Sequence, residues 1–285
     1  MKPMSPNSAK AGPFQSGPRV GFTLVELMFV VAIIGILSAL LLPALARSKT
    51  KAQGLFCLNN LKQAQTAWTM YCDDHSDSLP GVSGGSYSGP GKWVSGWLDF
   101  SSSPDNTNTV YLTDPAYAQL GPYVRATVGT YHCPADKSSV IINGRTFPRV
   151  RSISMNCWMN YTGKQNIGQD SYIVFRKTGD IIDPPPSKAW VFMDEREDSI
   201  NDGLFQTNLK LRGKAARIVD YPGSYHNRAA GLSFSDGHAE IKRWMDRRTT
   251  PVIKISQLIE YDVPSADNPD VAWLQVRSSS EKPID

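Results

Sequence analysis

The apolar positions of this chain fall into two regimes. From Phe22 to Ala46 they run almost unbroken, FTLVELMFVVAIIGILSALLLPALA, with Glu26 the one ionisable side chain. About 20 apolar residues in a helix rise roughly 30 Å, the thickness of a bilayer's hydrocarbon core. The pattern therefore predicts a spanning helix over 22–46. The preceding residues, 1–21, mix Lys, Pro, Ser and Gly without periodicity and read as a leader. After Arg47 the pattern turns amphipathic: Leu55, Leu58, Leu61, Ala64, Trp68 and Tyr71 recur at three- to four-residue spacing, opposite Lys51, Asn59, Lys62 and Gln63. This predicts a continuation of the helix over 47–77, with Asp73, Asp74 and Asp77 at its end and Pro80-Gly81 as the stop.

The remainder, 78–285, reads as one globular domain. Short β-like runs alternate with turn signals at Tyr131, Val140 to Ile142, Tyr172 to Phe175, Ala189 to Met193, Gly231 to Phe234 and Ala239 to Trp244. Asp236-Gly237, between the last two, is a hairpin signal, since both residues tolerate positive φ. The fold class expected is α+β, a long N-terminal helix packed on an antiparallel sheet. Between Pro80 and Ser103 a Gly- and Ser-rich stretch carries Trp93, Trp97 and Phe100, which read first as pins to the core and secondarily as a ligand surface. The tail from Asp262 is polar and reads as loosely ordered.

Composition changes little. The formal charge of +4 owes three of its positive charges to Lys2, Lys10 and Arg19, so the rest of the chain is nearly neutral and has no broad footprint for nucleic acid. Arg47, Lys49 and Lys51 follow the apolar run just as those three precede it, so flanking charge leaves the orientation open. A carboxylate inside a membrane is expensive unless paired, which marks Glu26 as functional. No nucleophile elbow, phosphate loop or metalloprotease pair is present, and the candidates for hydrolysis are His226 with Asp236 and a serine such as Ser224, or the carboxylates near Asp194; the chain is expected not to be an enzyme and to need no cofactor.

The run GFTLVELMFVVAIIGILSALLLPAL, Gly21 to Leu45, resembles the cleavage and methylation motif of type IV pilins and of type II secretion pseudopilins. The resemblance implies cleavage between Gly21 and Phe22 by a prepilin peptidase, N-methylation of Phe22, and a leader held inside an inner membrane with the bulk of the chain exported. It implies a periplasmic or extracellular helical filament of this and other pilin-like subunits, built on an inner-membrane assembly platform. Glu26 would then pair with the new amine of Phe22 in its own or a neighbouring helix, and Pro43 would match the proline where the family's helix bends or melts. CLNNLKQAQTAWTMYCDDHSDSLP from Cys57, HCPAD from His132, ISMN from Ile153, and His226 followed after nine residues by Asp236-Gly237 resemble a subgroup of such proteins. The function implied is a structural subunit of a secretion or pilus-like filament; a tip-located, adhesin-like binding module and a simple signal-anchored binding protein are the alternatives.

Four cysteines on an exported domain suggest disulfides. Cys57 and Cys72, on one helix, would lie about 22 Å apart, out of bonding reach, which leaves 57 with 133 and 72 with 157, or 57 with 157 and 72 with 133, unless some stay reduced. The resemblance favours Cys57 with Cys133, with Cys72 and Cys157 as a second pair, because the first two lie in the subgroup-like stretches. Zinc is disfavoured, since His75, His132, His226 and His238 form no knuckle-type spacing with the cysteines. Some pseudopilins hold calcium in a loop, and Asp194, Glu195, Asp198 and Asp202 supply the oxygen donors for one, without EF-hand spacing.

Overall fold

The computed structural model describes residues 21–85, 89–124 and 127–283. Of the expected leader only Gly21 falls among them; Lys2, Lys10 and Arg19 lie outside the described residues. The structure divides after Arg47 into two units.

The first unit carries the start of helix α1, Leu24–Asp74. Its start is written into Thr23 and Glu26. The Thr23 hydroxyl accepts the Glu26 N–H at 3.2 Å, and the Glu26 carboxylate accepts the Thr23 N–H at 2.9 Å. This reciprocal capping box satisfies two amides that the helix geometry leaves without partners. The apolar side chains from Phe22 to Leu45 are exposed. The most apolar stretch of α1 has a mean hydropathy of 2.7 and none of it is buried, so this is a helix long and apolar enough to cross a membrane. Pro43 sits inside α1 without ending it.

The second unit is α+β. Its strands are β1 (Ser139–Ile142), β2 (Arg145–Pro148), β3 (Ile153–Asn156), β4 (Trp190–Asp194), β5 (Leu204–Phe205), β6 (Arg217–Ile218), β7 (Ala229–Phe234), β8 (Ala239–Arg243) and β9 (Val263–Pro264), and its further helices are α2 (Val110–Thr113) and α3 (Pro269–Ser278). The main sheet runs β5-β3-β4-β7-β8; every pairing is antiparallel except β3 with β5. β3, β4 and β7 are buried at every position. That pattern requires cover on both faces.

One face is covered by the second half of α1. Cys57, Leu61, Ala64 and Trp68 are buried with Met155, Val191 and Phe192 in one core. Burying a side chain such as Leu61 contributes about 1.5–3 kcal/mol. Gln65, also buried, accepts a 2.9 Å hydrogen bond from the Ser233 hydroxyl of β7. The other face carries Trp190, Met193, Leu232, Phe234 and Trp244 against Leu274 of α3. Trp190 Nε1 donates to the Ser278 hydroxyl at 3.0 Å and the Asn156 amide donates to the Trp190 and Ser278 carbonyls.

The expected amphipathic stripe is shifted at its start. Leu55 is exposed, and the buried positions before Leu61 are Gly54 and Cys57. Glycine faces the sheet side because an added Cβ at residue 54 would already stand 3.0 Å from Ile241. α1 ends at Asp74, before the expected Pro80-Gly81 stop, because Ser76 and Asp77 turn left-handed and the Asp77 N–H returns to the Cys72 carbonyl. Tyr131 belongs to a 3-10 turn and Tyr172 to Phe175 make only single bridges, whereas β3 and β5 lie outside the predicted runs. The tail is not loose: Asn268 caps α3 by accepting the Asp270 and Val271 N–H groups, and Val271 and Leu274 are buried. In the aromatic loop Trp93 is enclosed, with Nε1 donating to the Gly203 carbonyl at 2.8 Å, and the Arg149 guanidinium lies 4.5 Å over Phe100. These rings pin the loop, as the first reading expected.

The β7–β8 hairpin turns through Ser235, Asp236 and Gly237. Gly237 alone takes positive φ, at 95°, and its N–H closes the turn on the Phe234 carbonyl. The turn thus needs one left-handed residue where two were expected. Gly237→Ala is expected to destabilise the chain by about 1 kcal/mol, while Gly179→Ala, with no positive φ and open space at its Cβ, is expected to be neutral. Urea or thermal melts of the two variants check this; equal stability of both would contradict the turn geometry.

Candidate functional site in the second unit

Four side chains from four separate segments meet inside the second unit: Cys57, Cys133, Asp194 and His226, all buried, their ligand-type atoms within 4.8 Å of one another. Asp194 is the last residue of β4, paired opposite Ile153. Its Oδ2 accepts the Gly231 N–H of β7 at 3.0 Å and the Cys57 thiol of α1 at 2.6 Å. Cys133 is placed by Ser152, whose hydroxyl accepts the Cys133 N–H at 2.6 Å while its carbonyl accepts the Glu195 N–H at 2.8 Å. His226 opens a tight turn through Asn227 and Arg228, both at positive φ, that folds it back onto β7. Its Nε2 lies 3.4 Å from Cys133 Sγ and 3.8 Å from Asp194 Oδ2.

Two glycines make the room and a third lies beside it. A Cβ at Gly231 would stand 2.5 Å from Leu61 Cδ1 and 3.2 Å from both Asp194 Oδ2 and Cys57 Sγ; one at Gly223 would meet Asp194 Cβ at 2.8 Å, and one at Gly54 would come within 3.6 Å of His226 Nδ1. Backbone and site therefore touch directly. Gly231→Ala is expected to cost about 1–3 kcal/mol by overpacking, read as a lower melting temperature than that of wild type; an unchanged melt would show that the site yields.

Burial dominates the electrostatics. It pushes the Asp194 carboxyl up to about 6 and lowers His226. The Cys57 thiol is pushed well up by its contact with Cys133, by burial and by the Asp194 charge. Asp194 Oδ1 and His226 Nδ1 are buried with no protein partner. Two thiols, an imidazole and a carboxylate are the donor types that hold zinc.

Comparison with family models, curated proteins and solved structures gives no match to this chain.

The structure brings together Cys57 and Cys133, as expected, but as free thiols beside a carboxylate and an imidazole, and not as a bridge. Cys72 and Cys157 are buried free thiols too. The spacing from His226 to Asp236-Gly237 is the length of β7 plus its flanks: His226 stands at one end of the strand and the turn at the other. Asp236 therefore partners His238, with Oδ1 2.6 Å from Nδ1, and is no part of the cluster. The acidic run does not gather around one point. Asp194 enters the cluster, Glu195 accepts the Ser199 hydroxyl, Asp198 pairs with Arg196, and Asp202 accepts the Gly85 and Leu204 N–H groups. Each carboxylate has its own local partner, so the four do not form a calcium cage. The zinc-type grouping escaped the spacing test because its donors come from four distant segments; the shared signal was that Cys57, Cys133 and His226 each lie in a subgroup-like stretch.

A second set of carboxyls lies alongside. Glu195 is pushed well up by burial and then by Asp220, and Asp220 is pushed up to about 8 by burial and then by Asp202. A raised carboxyl stabilises the fold below the ordinary carboxylate range, and that contribution is lost as pH rises through the folded value. Asp220→Asn retains an acceptor for the Gln206 N–H, which Asp220 now binds at 2.6 Å. The wild-type melting temperature is expected to fall as pH climbs from the ordinary carboxylate range to about 8, and Asp220→Asn to flatten that fall. Parallel slopes for the two proteins would contradict it.

Proposed function

We propose that the chain is the precursor of a pilin-like filament subunit: a single-pass inner-membrane protein processed after Gly21 and then built through its apolar helix into a helical filament, with residues beyond the span exported. The observation that carries this reading is the juxtaposition of Gly21-Phe22 with the exposed apolar stretch of α1 up to residue 46, whose only carboxylate is Glu26. An exposed helix of this kind needs lipid or other helices around it. Glu26 is engaged in the precursor by Thr23, through its N–H and through its hydroxyl at 2.7 Å. Cleavage after Gly21 sets a charged amine at Phe22, one residue before that cap, and pairing of the amine with Glu26 of the same or a neighbouring subunit fixes helix register. The partners under this reading are prepilin peptidase, an assembly platform and other pilin-like subunits, and the protein's role is structural, not catalytic. Trp93 is enclosed and Phe100 lies beneath Arg149, so the aromatic loop lends little surface to a tip-located binding module.

Co-expression of the full chain with an active prepilin peptidase, followed by intact mass and N-terminal sequencing, tests this. The mature chain is expected to begin at methylated Phe22, and Gly21→Ala to abolish processing. Glu26→Ala is expected to be cleaved but to enter sheared filaments poorly. A chain retaining its leader beside an active peptidase would overturn the proposal in favour of a plain signal anchor.

A further inference from the structure

We infer that Cys57, Cys133, Asp194 and His226 form a structural zinc site that ties α1, the 132–136 segment, the end of β4 and the turn before β7 into one body. The inference stands on the second unit alone and does not depend on the filament reading. Four donors around Zn²⁺ at about 2.0–2.3 Å stand roughly 3.3–3.8 Å apart when tetrahedral. Cys133 Sγ to His226 Nε2, at 3.4 Å, already has the length of such an edge, and His226 Nε2 to Asp194 Oδ2, at 3.8 Å, is a few tenths of an ångström longer than the roughly 3.4 Å of a nitrogen–oxygen edge. The Cys57 to Asp194 edge is shorter, at 2.6 Å, because there a thiol proton fills the place of the cation.

The burial argues for a cation as strongly as the distances do. Asp194 has no exposed surface, and among the described residues no Lys or Arg forms an ion pair with it and its Oδ1 is buried without a partner. A carboxylate enclosed in this way is unfavourable unless a positive charge joins it. The donor set supplies the right chemistry: two thiolates, one carboxylate and a neutral imidazole suit a borderline-soft dication, not calcium. Binding releases the two thiol protons to solvent and forms two Zn–S bonds with no change of oxidation state, so no redox partner is required. All four positions are occupied by protein atoms and buried, which is the arrangement of a structural and not a catalytic metal. Gly231, whose hydrogen side faces both Cys57 Sγ and Asp194 Oδ2, leaves the space that the short zinc–ligand bonds require.

The full chain, purified in detergent with zinc salt alone as the added metal and without chelator, is expected to carry about one zinc per chain by elemental analysis. Cys57→Ser and Asp194→Asn are expected to lower retained zinc at least about tenfold, with Cys72→Ser unchanged. Because those variants can fail to fold, cobalt exchange into the wild-type chain is the second readout: intense visible bands of a tetrahedral site and a thiolate-to-cobalt charge-transfer band are expected. A metal-free chain whose peptide map shows Cys57 bonded to Cys133 would overturn the inference. So would two thiols that stay alkylatable and metal-free after zinc incubation, or zinc retained equally by wild type and Asp194→Asn.

Discussion

A carboxylate removed from water must be given partners, and the second unit is organised around meeting that need at Asp194. It ends β4, the strand between β3 and β7, and its Oδ2 takes a β7 amide and an α1 thiol. Strand β7 and helix α1 are held to one oxygen atom, with His226 3.8 Å from it. Removing such a group strands the rest, because the unpaired partners remain buried. The glycines follow from this. A Cβ at residue 223 or 231 would enter the space around the cluster.

The sheet is the platform that makes this burial possible. β3, β4 and β7 are covered on one face by the stripe from Cys57 to Trp68 and on the other by α3, so that Asp194 is shielded from solvent on both sides. The H-bonded chain Ser233 to Gln65 on one face and Trp190 to Ser278 on the other fixes helix positions through polar groups that apolar packing alone would leave free to slide. The first unit follows a different rule. Among its described residues every apolar side chain from Phe22 to Leu45 is exposed, and the capping box at Thr23 and Glu26 defines the helix start.

What could be read from the residues alone followed local physics. The apolar run, the amphipathic change after Arg47, β4, β7, β8 and the Gly237 turn each announce themselves through periodicity or turn chemistry over a few residues. ISMN does alternate apolar and polar residues, but the run is only four residues long and its polar members are buried as well, so it did not stand out as a strand; α3 was hidden because a polar tail gains order from Asn268 capping and from Leu274 meeting the sheet. The site was half legible. Cys57 and Cys133 were expected to meet, and they do; that Asp194 and His226 join them depends on strand order and on a left-handed turn at Asn227 and Arg228, neither of which short-range spacing encodes.

The most direct measurement is X-ray absorption at the zinc edge of the purified full chain. A shell of two sulfurs near about 2.3 Å and two nitrogen or oxygen atoms near about 2.0 Å is the result expected if Cys57, Cys133, His226 and Asp194 enclose one cation. A shell of light atoms only, or no stoichiometric zinc to absorb, would contradict it and leave Asp194 as a buried carboxyl held by hydrogen bonds alone.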